Sequence, residues 1–327
     1  MPPQKPKKAW AALTVATLAC AASPSAIAAD LYPTKPVTVM IASTPGGILD
    51  VVGRIVAHGL EKMGQPVIPQ NQPGAGGLIG TQTLLRVPAD GYLLGMVATS
   101  HAINPSVYTT MPYDTLRDFT TVSHAVNVTN LLVVNPSVPA RTVQEFIALA
   151  KAKPNELSCG SAGNGQSNHL SLELFNTAAG IKLAHVPYKG SAQAMADVMG
   201  GSLTCMFVDA LTATPLVIDG KLTALASTSA TRLSALPNVP TFAESGIPNF
   251  AGSSWLALVV RSGTPKEVVD KIGETVSQTF NEPEVRQRLA NMGIEPIGAL
   301  PEPSGKFMEA EIKRYAVAVK TAGMKLD

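Results

Sequence analysis

Apolar positions along the chain fall into two alternating patterns. Residues 36–42 form a short, largely apolar run, which is typical of a buried strand. From Ile48 to Leu60 the apolar residues recur at helical spacing and predict an amphipathic helix. Further strand-like runs follow at 67–69 and 92–97. Strands that alternate with helices predict βαβ units with a mostly parallel sheet, and therefore an α/β fold.

A second series of the same kind begins near residue 130. Thr142 and Glu145 have the spacing of a capping box and predict the start of a helix. Thr264 and Glu267 repeat this signal before three predicted C-terminal helices. The strands predicted in this part of the chain are 131–134, 157–161, 185–188, 203–208, 222–227 and 255–260.

The N-terminal 29 residues have the features of a secretory signal peptide. Three lysines precede an uncharged stretch rich in Ala, Leu and Val, and small residues end at an Ala-x-Ala site. The apolar run is shorter than the roughly 20 residues that span a bilayer. We therefore predict export to the periplasm, with cleavage near Ala28 and Ala29. A lipoprotein attached through Cys20 is the alternative, although Thr17 stands where such sites prefer Leu.

Chain length and charge then bound the domain count and the partners. About 298 residues follow the predicted signal peptide, more than one hydrophobic core usually serves. We predict a first domain from residues 30–130 and 254–327 and a second from 131–253, joined by a two-strand hinge. Without its three N-terminal lysines the chain has 22 basic and 23 acidic residues, a net charge of −1. That balance predicts no nucleic-acid partner.

Two loops rich in glycine and polar side chains are the strongest candidates for a ligand site. Each follows a predicted strand and precedes a helix, which is where open α/β sheets bind ligands. Free backbone N–H groups and the helix dipole favour an anion at such positions. We predict that a carboxylate is bound by Ser43, Thr44, Gly46, Gly47 and Ile48 in the first loop, and by Ser161, Asn164, Gly165, Gln166 and Ser167 in the second.

Four further residues end other predicted strands and are expected to contact the distal part of the ligand: Thr99, Ser100, His101 and Asp209. Asp209 is equally suited to cap the turn that follows it. His169 lies just inside a predicted helix, where a capping or packing role is favoured over ligand contact.

The sequence motifs argue against three other kinds of chemistry. The glycines at 74–80 fail the dinucleotide-binding spacing because Ile79 stands where the third glycine belongs. Cysteine and histidine show no metal-ligand spacing, so neither cofactor nor metal is predicted. The G-x-S-x-G nucleophile motif is missing, which leaves a periplasmic serine hydrolase as a minor alternative.

Cys159 and Cys205 each lie in a short predicted strand. If these strands are neighbours, a disulfide closing about 45 residues would stabilise the fold by about 3–4 kcal/mol. Two buried free thiols are the alternative.

Motifs in a fixed order extend over nearly the whole chain after the signal peptide. Together they resemble the tripartite tricarboxylate transporter receptor family, also called Bug-type solute receptors. The chain departs from the family pattern at Ala42 and Ser43, where Pro and an aromatic residue are usual, and at Gln72, where Arg is common. The matching motifs are Pro45-Gly46-Gly47-x-x-Asp50, Asn71-x-Pro73-Gly74-Ala75-Gly76-Gly77, Asp90-Gly91-Tyr92, Tyr113-Asp114, Asp118-Phe119, Ser161-x-Gly163-x-Gly165, His169-Leu170, His185-Val186-Pro187-Tyr188-Lys189-Gly190, Leu236-Pro237-Asn238-Val239-Pro240-Thr241, Glu244-x-Gly246 and Gly263-Thr264-Pro265.

The resemblance implies a type II periplasmic-binding-protein fold, with two α/β domains, a two-strand hinge and a ligand cleft. It implies a monomeric, non-enzymatic receptor that closes on a small carboxylate, such as a di- or tricarboxylate, an acidic amino acid or an aromatic acid. The implied partners are the membrane permease subunits of a tripartite transporter. A sensory co-receptor that docks on a histidine kinase is the alternative.

Overall fold

The computed structural model describes residues 32–248, 250, 252–321 and 323, and the predicted signal peptide lies outside them. Among these residues no helix is both long and apolar enough to cross a membrane. The strands in chain order are β1 (Val37–Ile41), β2 (Val67–Asn71), β3 (Leu93–Ala98), β4 (Phe119–Val128), β5 (Asn130–Val134), β6 (Ser158–Ser161), β7 (Ala184–Pro187), β8 (Cys205–Asp209), β9 (Thr223–Ser227), β10 (Ser254–Arg261) and β11 (Ile294–Pro296).

Helices connect most of these strands, and short 3₁₀ turns at Glu61–Met63, Ala75–Gly77 and Leu84–Arg86 extend or precede two of them. The α-helices are α1 (Ile48–Leu60), α2 (Leu78–Thr83), α3 (Ser100–Val107), α4 (Thr115–Asp118), α5 (Val143–Ala152), α6 (Ser167–Ala179), α7 (Ser191–Gly200), α8 (Ala210–Ile218), α9 (Lys266–Asn281), α10 (Pro283–Asn291) and α11 (Pro301–Thr321).

The strands form two sheets, each with a parallel part. The first lobe contains a six-stranded sheet of order β11-β4-β10-β3-β1-β2, in which β1 is parallel to β2 and β3. The second lobe contains a five-stranded sheet of order β7-β6-β8-β5-β9, in which β6 is parallel to β7 and β8. Within each parallel part, the carboxyl ends of neighbouring strands therefore lie at the same edge of the sheet.

The chain passes between the two sheets twice. Thr129 alone separates β4 from β5, and β10 returns the chain to the first sheet. The Nδ2 group of Asn130 donates to the carbonyl of Gly252 at 2.7 Å and to the Oγ of Ser254 at 3.0 Å. One buried amide thus ties the two crossing segments together.

The core of the second lobe lies on both faces of its sheet. Leu131 and Val133 of β5 pack into one apolar cluster, whereas Leu132 and Val134 pack into the cluster on the opposite face. Successive side chains of a strand point to opposite faces, so burial on both sides explains why β5 is a continuous apolar run. Such a strand is readily predicted from sequence.

The two predicted capping boxes have different outcomes. The Thr142 hydroxyl accepts from the Glu145 N–H at 3.1 Å and the Glu145 carboxylate accepts from the Thr142 N–H at 3.2 Å, which confirms the first box. The second prediction was wrong. Helix α9 begins after Pro265, and the Thr264 hydroxyl donates to the carbonyl of Arg261 at 2.8 Å, so it closes the preceding turn instead.

Cys159 and Cys205 are register partners on the adjacent parallel strands β6 and β8, and both thiols are buried and free. The strands are neighbours, as the disulfide required, but the bridge is absent. Side chains at paired positions stand side by side, roughly perpendicular to the sheet, whereas a disulfide brings its Cβ atoms to about 3.8 Å. Burial, followed by the contact with Cys205, raises the pKa of the Cys159 thiol.

Gly59 marks the tightest helix contact of the first lobe. It lies inside α1, and a Cβ built there would overlap the side chain of buried Thr279 on α9. We expect Gly59→Ala to lower the free energy of unfolding by about 1–3 kcal/mol because the core is already filled. Urea denaturation at pH 7 measures the change.

Gly305 provides the matched control for this substitution. It also lies inside a helix, but a Cβ there meets no atom within 4 Å. Gly305→Ala should raise the free energy of unfolding by up to about 1 kcal/mol, since alanine favours helix. Equal effects of the two alanines would show that the contact between α1 and α9 is not tight.

Candidate ligand-binding cleft

A cavity of about 590 Å³ is lined by loops from both lobes. Many of its lining residues lie in loops that follow the carboxyl ends of parallel strands. The first lobe contributes Ala42, Ser43, Thr44, Gly47, Ile48, Leu49, Pro73, Gly74, Ala75, Gly76, Gly77, Thr81, Val97, Ala98, Ser100, His101, Asn104 and Tyr113; the second contributes Ala162, Gln166, Lys189, Gly190, Ser191, Ala192, Met195, Asp209 and Thr212.

Three long helices begin at this cavity without a side-chain cap. Gly47 precedes α1, Gln166 precedes α6 and Gly190 precedes α7, and none of these N-cap residues makes a side-chain hydrogen bond to its helix. The first N–H groups of a helix have no partner within it, and they carry the positive end of the dipole. Both lobes therefore present positive backbone groups to the same space.

The first predicted loop is held in place by a buried carboxylate. Asp50 accepts from the Gly46 N–H at 2.9 Å and from the Asn71 Nδ2 at 2.9 Å, and Arg54 lies 3.0 Å from it. Burial raises the pKa of Asp50, but its bonds to Arg54, Gly46 and Asn71 outweigh burial and hold the pKa below its usual value. Asn71 also donates to the carbonyl of Ser43 at 3.1 Å. The loop is thus rigid before a ligand arrives.

This network changes the role predicted for Gly46. Its N–H is already bonded to Asp50, and the residue does not line the cavity. Ser43, Thr44, Gly47 and Ile48 do line it. The first loop therefore presents four of its five predicted residues to the cleft, and its backbone donors are those at the start of α1.

The second predicted loop is held by two histidines. Ser161 is fully buried, and its Oγ lies 2.6 Å from the Nε2 of His185. The Gly165 N–H donates to the Nδ1 of His169 at 3.2 Å. The two imidazoles stack at 3.7 Å between ring centroids.

Ser161, Asn164 and Gly165 consequently do not line the cavity, in contrast to the prediction. Ser161 and Gly165 use their hydrogen-bonding groups to hold the loop, and Asn164 is exposed. Gln166 lines the main cavity, and Ser167 lines a smaller one of about 160 Å³ beside it. His169 acts as a packing residue, which was the role favoured for it.

The hydroxyl groups predicted to contact the distal part of the ligand are used inside the protein. The Thr99 Oγ1 accepts from the Trp255 N–H at 2.8 Å, and the Ser100 Oγ donates to the carbonyl of Gly76 at 2.8 Å. Asp209 caps α8 by accepting from the Thr212 N–H at 2.9 Å, while it still lines the cavity. Of the four predicted residues, His101 alone keeps an unpaired polar group.

His101, Asn104 and Tyr113 lie together at the first-lobe end of the cavity. They are 3%, 2% and 6% exposed, and the His101 Nδ1, Asn104 Nδ2 and Tyr113 hydroxyl have no hydrogen-bond partner. Burial lowers the pKa of His101 to about 4, so its imidazole is neutral at pH 7. Asn104 and Tyr113 were not predicted, although Asn104 follows His101 by three residues and so shares its helix face.

Lys189 and the glycines at 74–77 were also missed as site residues. The glycines follow β2 and Lys189 follows β7, and both strands are parallel to their neighbours. The rule that located the loops at 43–48 and 161–167 therefore applies to these segments equally. Among the described residues that line the cavity, Lys189 and Asp209 carry the formal charges, and both belong to the second lobe.

Three histidines whose pKa values are strongly lowered make the stability of the protein sensitive to acid. Burial lowers the pKa of His101, His169 and His185 to about 4, from about 6.5 in the unfolded chain. Stability from a lowered histidine pKa is complete above about pH 6.5 and is lost as the pH falls toward 4. Each histidine contributes up to about 1.4 kcal/mol per pH unit in that window.

We expect His101→Gln to reduce the dependence of unfolding free energy on pH between 6.5 and 4.5. His58→Gln, at an exposed position, provides the control and should leave the dependence unchanged. Urea denaturation at several pH values measures both. Identical pH dependence of the two variants would show that His101 does not contribute to acid sensitivity.

Known proteins share this architecture. Residues 52–324 match the profile described as Tripartite tricarboxylate transporter family receptor. BugT of Bordetella pertussis is 34% identical over 312 residues, which cover 94% of this chain and 96% of BugT. An R. palustris protein solved with adipate is 36% identical, with a TM-score of 0.83 over 90% of this chain and 99% of its own.

The solved periplasmic binding protein BugD is 30% identical, with a TM-score of 0.80 over 90% of this chain and 99% of its own. These matches extend over both lobes, and they confirm the predicted periplasmic-binding-protein fold. The chain belongs to the tripartite tricarboxylate transporter receptor family, and it is a Bug-type solute-binding protein.

Proposed function

We propose that the protein is a periplasmic receptor that captures a small carboxylate in the cleft and delivers it to the membrane permease of a tripartite transporter. The observation that carries this proposal is the convergence of three uncapped helix N-termini, from both lobes, on one cavity. Anions bind favourably at such positions because N–H groups and helix dipoles both point toward them.

Cavity size and charge support the same ligand class. About 590 Å³ is within the range of small-molecule sites. Lys189 adds one cation on the second lobe, whereas the Asp209 carboxylate caps α8 through its Oδ1 atom. The relative solved with adipate binds a small carboxylate in the same fold.

The cleft is suited to binding and not to hydrolysis. Ser161 is the serine that contacts a histidine in the described part of the cleft region, and it is fully buried behind the loop. A nucleophile must reach its substrate. We therefore propose no enzymatic step, in keeping with the naming of the relatives as receptors and binding proteins.

Ligand capture by closure follows from the connections between the lobes. We propose that residues 30–130 with 254–327 and residues 131–253 move as two domains about the crossing segments near Thr129 and Gly252. The two crossing segments are linked there by the strand pairing of Ser254 with Val128 and by the bonds from the Asn130 amide to Gly252 and Ser254. A clamp of this kind encloses its ligand between loops of both domains.

Export follows from the N-terminal sequence. We propose that residues 1–29 direct secretion and are removed, so the protein recovered from the periplasm should begin near Ala29 or Asp30. N-terminal sequencing of that protein measures this. Retention of residues 1–29, or a lipid on Cys20, would contradict it.

A single charge in the cleft tests the carboxylate assignment. Ala192 is exposed in the first turn of α7 and lines the cavity. Ala192→Glu places a competing carboxylate there, and we expect it to weaken binding of hexanoate and adipate by at least about 10-fold through charge repulsion. Calorimetric titration of protein that has been unfolded and refolded, to remove any bound ligand, measures the affinity.

Ala192→Gln is the matched control because glutamine has nearly the same shape without the charge. It should weaken binding by less than about 3-fold. Neither variant should lower the melting temperature, since an acidic residue in the first turn of a helix is stabilising. If hexanoate and adipate bind no better than hexanamide, or if glutamate and glutamine have equal effects, the carboxylate assignment fails.

A further inference from the structure

Three unpaired polar groups occupy the deepest part of the cleft. The His101 Nδ1, the Asn104 Nδ2 and the Tyr113 hydroxyl are all buried, all belong to residues lining the cavity, and none has a hydrogen-bond partner. Leaving one such group unpaired is unfavourable, because it has given up its bonds to water without gaining others. Three together at one end of one cavity indicate a place where a ligand supplies the missing partners.

The surrounding side chains fix these groups in position. The His101 ring lies 5.9 Å from Tyr113 and 5.5 Å from Phe119, and Tyr113 meets Phe119 edge to face at 5.0 Å between centroids. Burial raises the pKa of Tyr113, and the polar groups of Thr81 and Asn104 beside its hydroxyl lower it in part, but the hydroxyl has no hydrogen-bond partner of good geometry. The subsite is therefore built on packed aromatic rings and does not collapse on itself.

The charges of the cavity are arranged unevenly between its two ends. Lys189 and Asp209 both belong to the second lobe, and the three unpaired groups of the first lobe are uncharged. A second carboxylate beside these three groups would meet no cationic side chain among the described first-lobe residues that line the cavity, and burial of a charge without such a partner is unfavourable. A hydroxyl or carbonyl oxygen has no such cost and accepts from the Asn104 amide and the Tyr113 hydroxyl.

We propose that His101, Asn104 and Tyr113 form a subsite for an uncharged, oxygen-bearing group at the far end of the ligand. The protein then prefers a carboxylic acid with a distal hydroxyl or amide group over the dicarboxylate of the same length. This inference rests on the proposed function, because it assumes that the other end of the ligand is the captured carboxylate.

Matched ligands test the preference directly. The full chain without its signal peptide, unfolded and refolded to remove bound ligand, is titrated with hexanoate, 6-hydroxyhexanoate, the monoamide of adipate, and adipate, together with the four- and five-carbon sets. In the set that fits best, the hydroxy acid and the monoamide should bind about 3- to 10-fold tighter than the plain acid. The dicarboxylate should bind at least about 10-fold more weakly than the monoamide at pH 7.

Tyr113→Phe removes one of the three groups without changing the packing. It should abolish most of the preference for the hydroxy acid over the plain acid, and the ratio of the two affinities is the quantity measured. Because the hydroxyl is unpaired, the melting temperature of the unliganded variant should stay the same or rise. Tyr108→Phe is the control, since Tyr108 lies outside this cavity and should change neither property.

The outcomes separate this inference from the proposed function. If the plain acids bind but distal groups and Tyr113→Phe have no effect, or if the dicarboxylate binds as well as the monoamide, the subsite is wrong and carboxylate capture stands. If 6-hydroxyhexanamide binds as well as 6-hydroxyhexanoate, and Tyr113→Phe weakens both, the subsite stands and carboxylate capture is wrong. A loss of melting temperature in Tyr113→Phe without loss of selectivity would make the hydroxyl a structural group and overturn the subsite.

Discussion

The cleft depends on one constraint, which is that parallel strands in both lobes end at the same cavity. Because β1, β2 and β3 are parallel, as are β6, β7 and β8, each group of strands delivers the following helices to one edge of its sheet. The helices are packed against their sheets and cannot turn away, so their first N–H groups remain directed at the cavity. The proposed site for an anion would thus be a consequence of strand direction, and no arginine is among the described residues that line the cavity.

Side chains of the binding loops serve mainly to hold those helix ends in place. Asp50 uses the N–H of Gly46 in one lobe, and His169 uses that of Gly165 in the other. Each acceptor satisfies a loop N–H group. Without this bond, that N–H group would compete with the N–H groups at the start of the helix for the ligand. This division of roles explains the position of Ser161, whose side chain holds the loop although its sequence context is typical of a ligand-binding residue. In the proposed function the polar groups of the loop pair with one another, and the ligand binds the backbone N–H groups at the start of each helix.

Much of this arrangement could be predicted from sequence, because β5 and the glycine-rich βα loops have clear local patterns. Strand β4 was missed since its polar residues are buried only through distant partners. The His124 ring stacks on Phe307 at 3.8 Å between ring centroids, and the backbone N–H of His124 donates to the Ser304 Oγ at 2.8 Å. Tyr113 was missed for the same reason: it reaches the cavity through packing with His101 and Phe119, which no periodicity reports. Cys159 and Cys205 show a second limit of prediction from sequence. A disulfide requires their strands to be neighbours, but neighbouring strands are not sufficient for a disulfide to form.

The two lobes contribute different kinds of contact, and this bears on how a ligand would be selected. In the first lobe His101, Asn104 and Tyr113 are nearly fully buried, so the proposed subsite would have its geometry set before closure and would discriminate by shape and hydrogen bonding. The second lobe contributes the exposed Lys189 and the starts of α6 and α7, whose attraction for an anion would act over a longer range. An incoming acid would therefore be attracted by positive groups of both lobes, including the start of α1, and its distal group would be recognised by the neutral groups of the first lobe. Buried unpaired groups are costly, so a ligand that leaves those of the first lobe unsatisfied would gain less free energy from closure. The chemical identity of the ligand would therefore affect its affinity most at these buried groups.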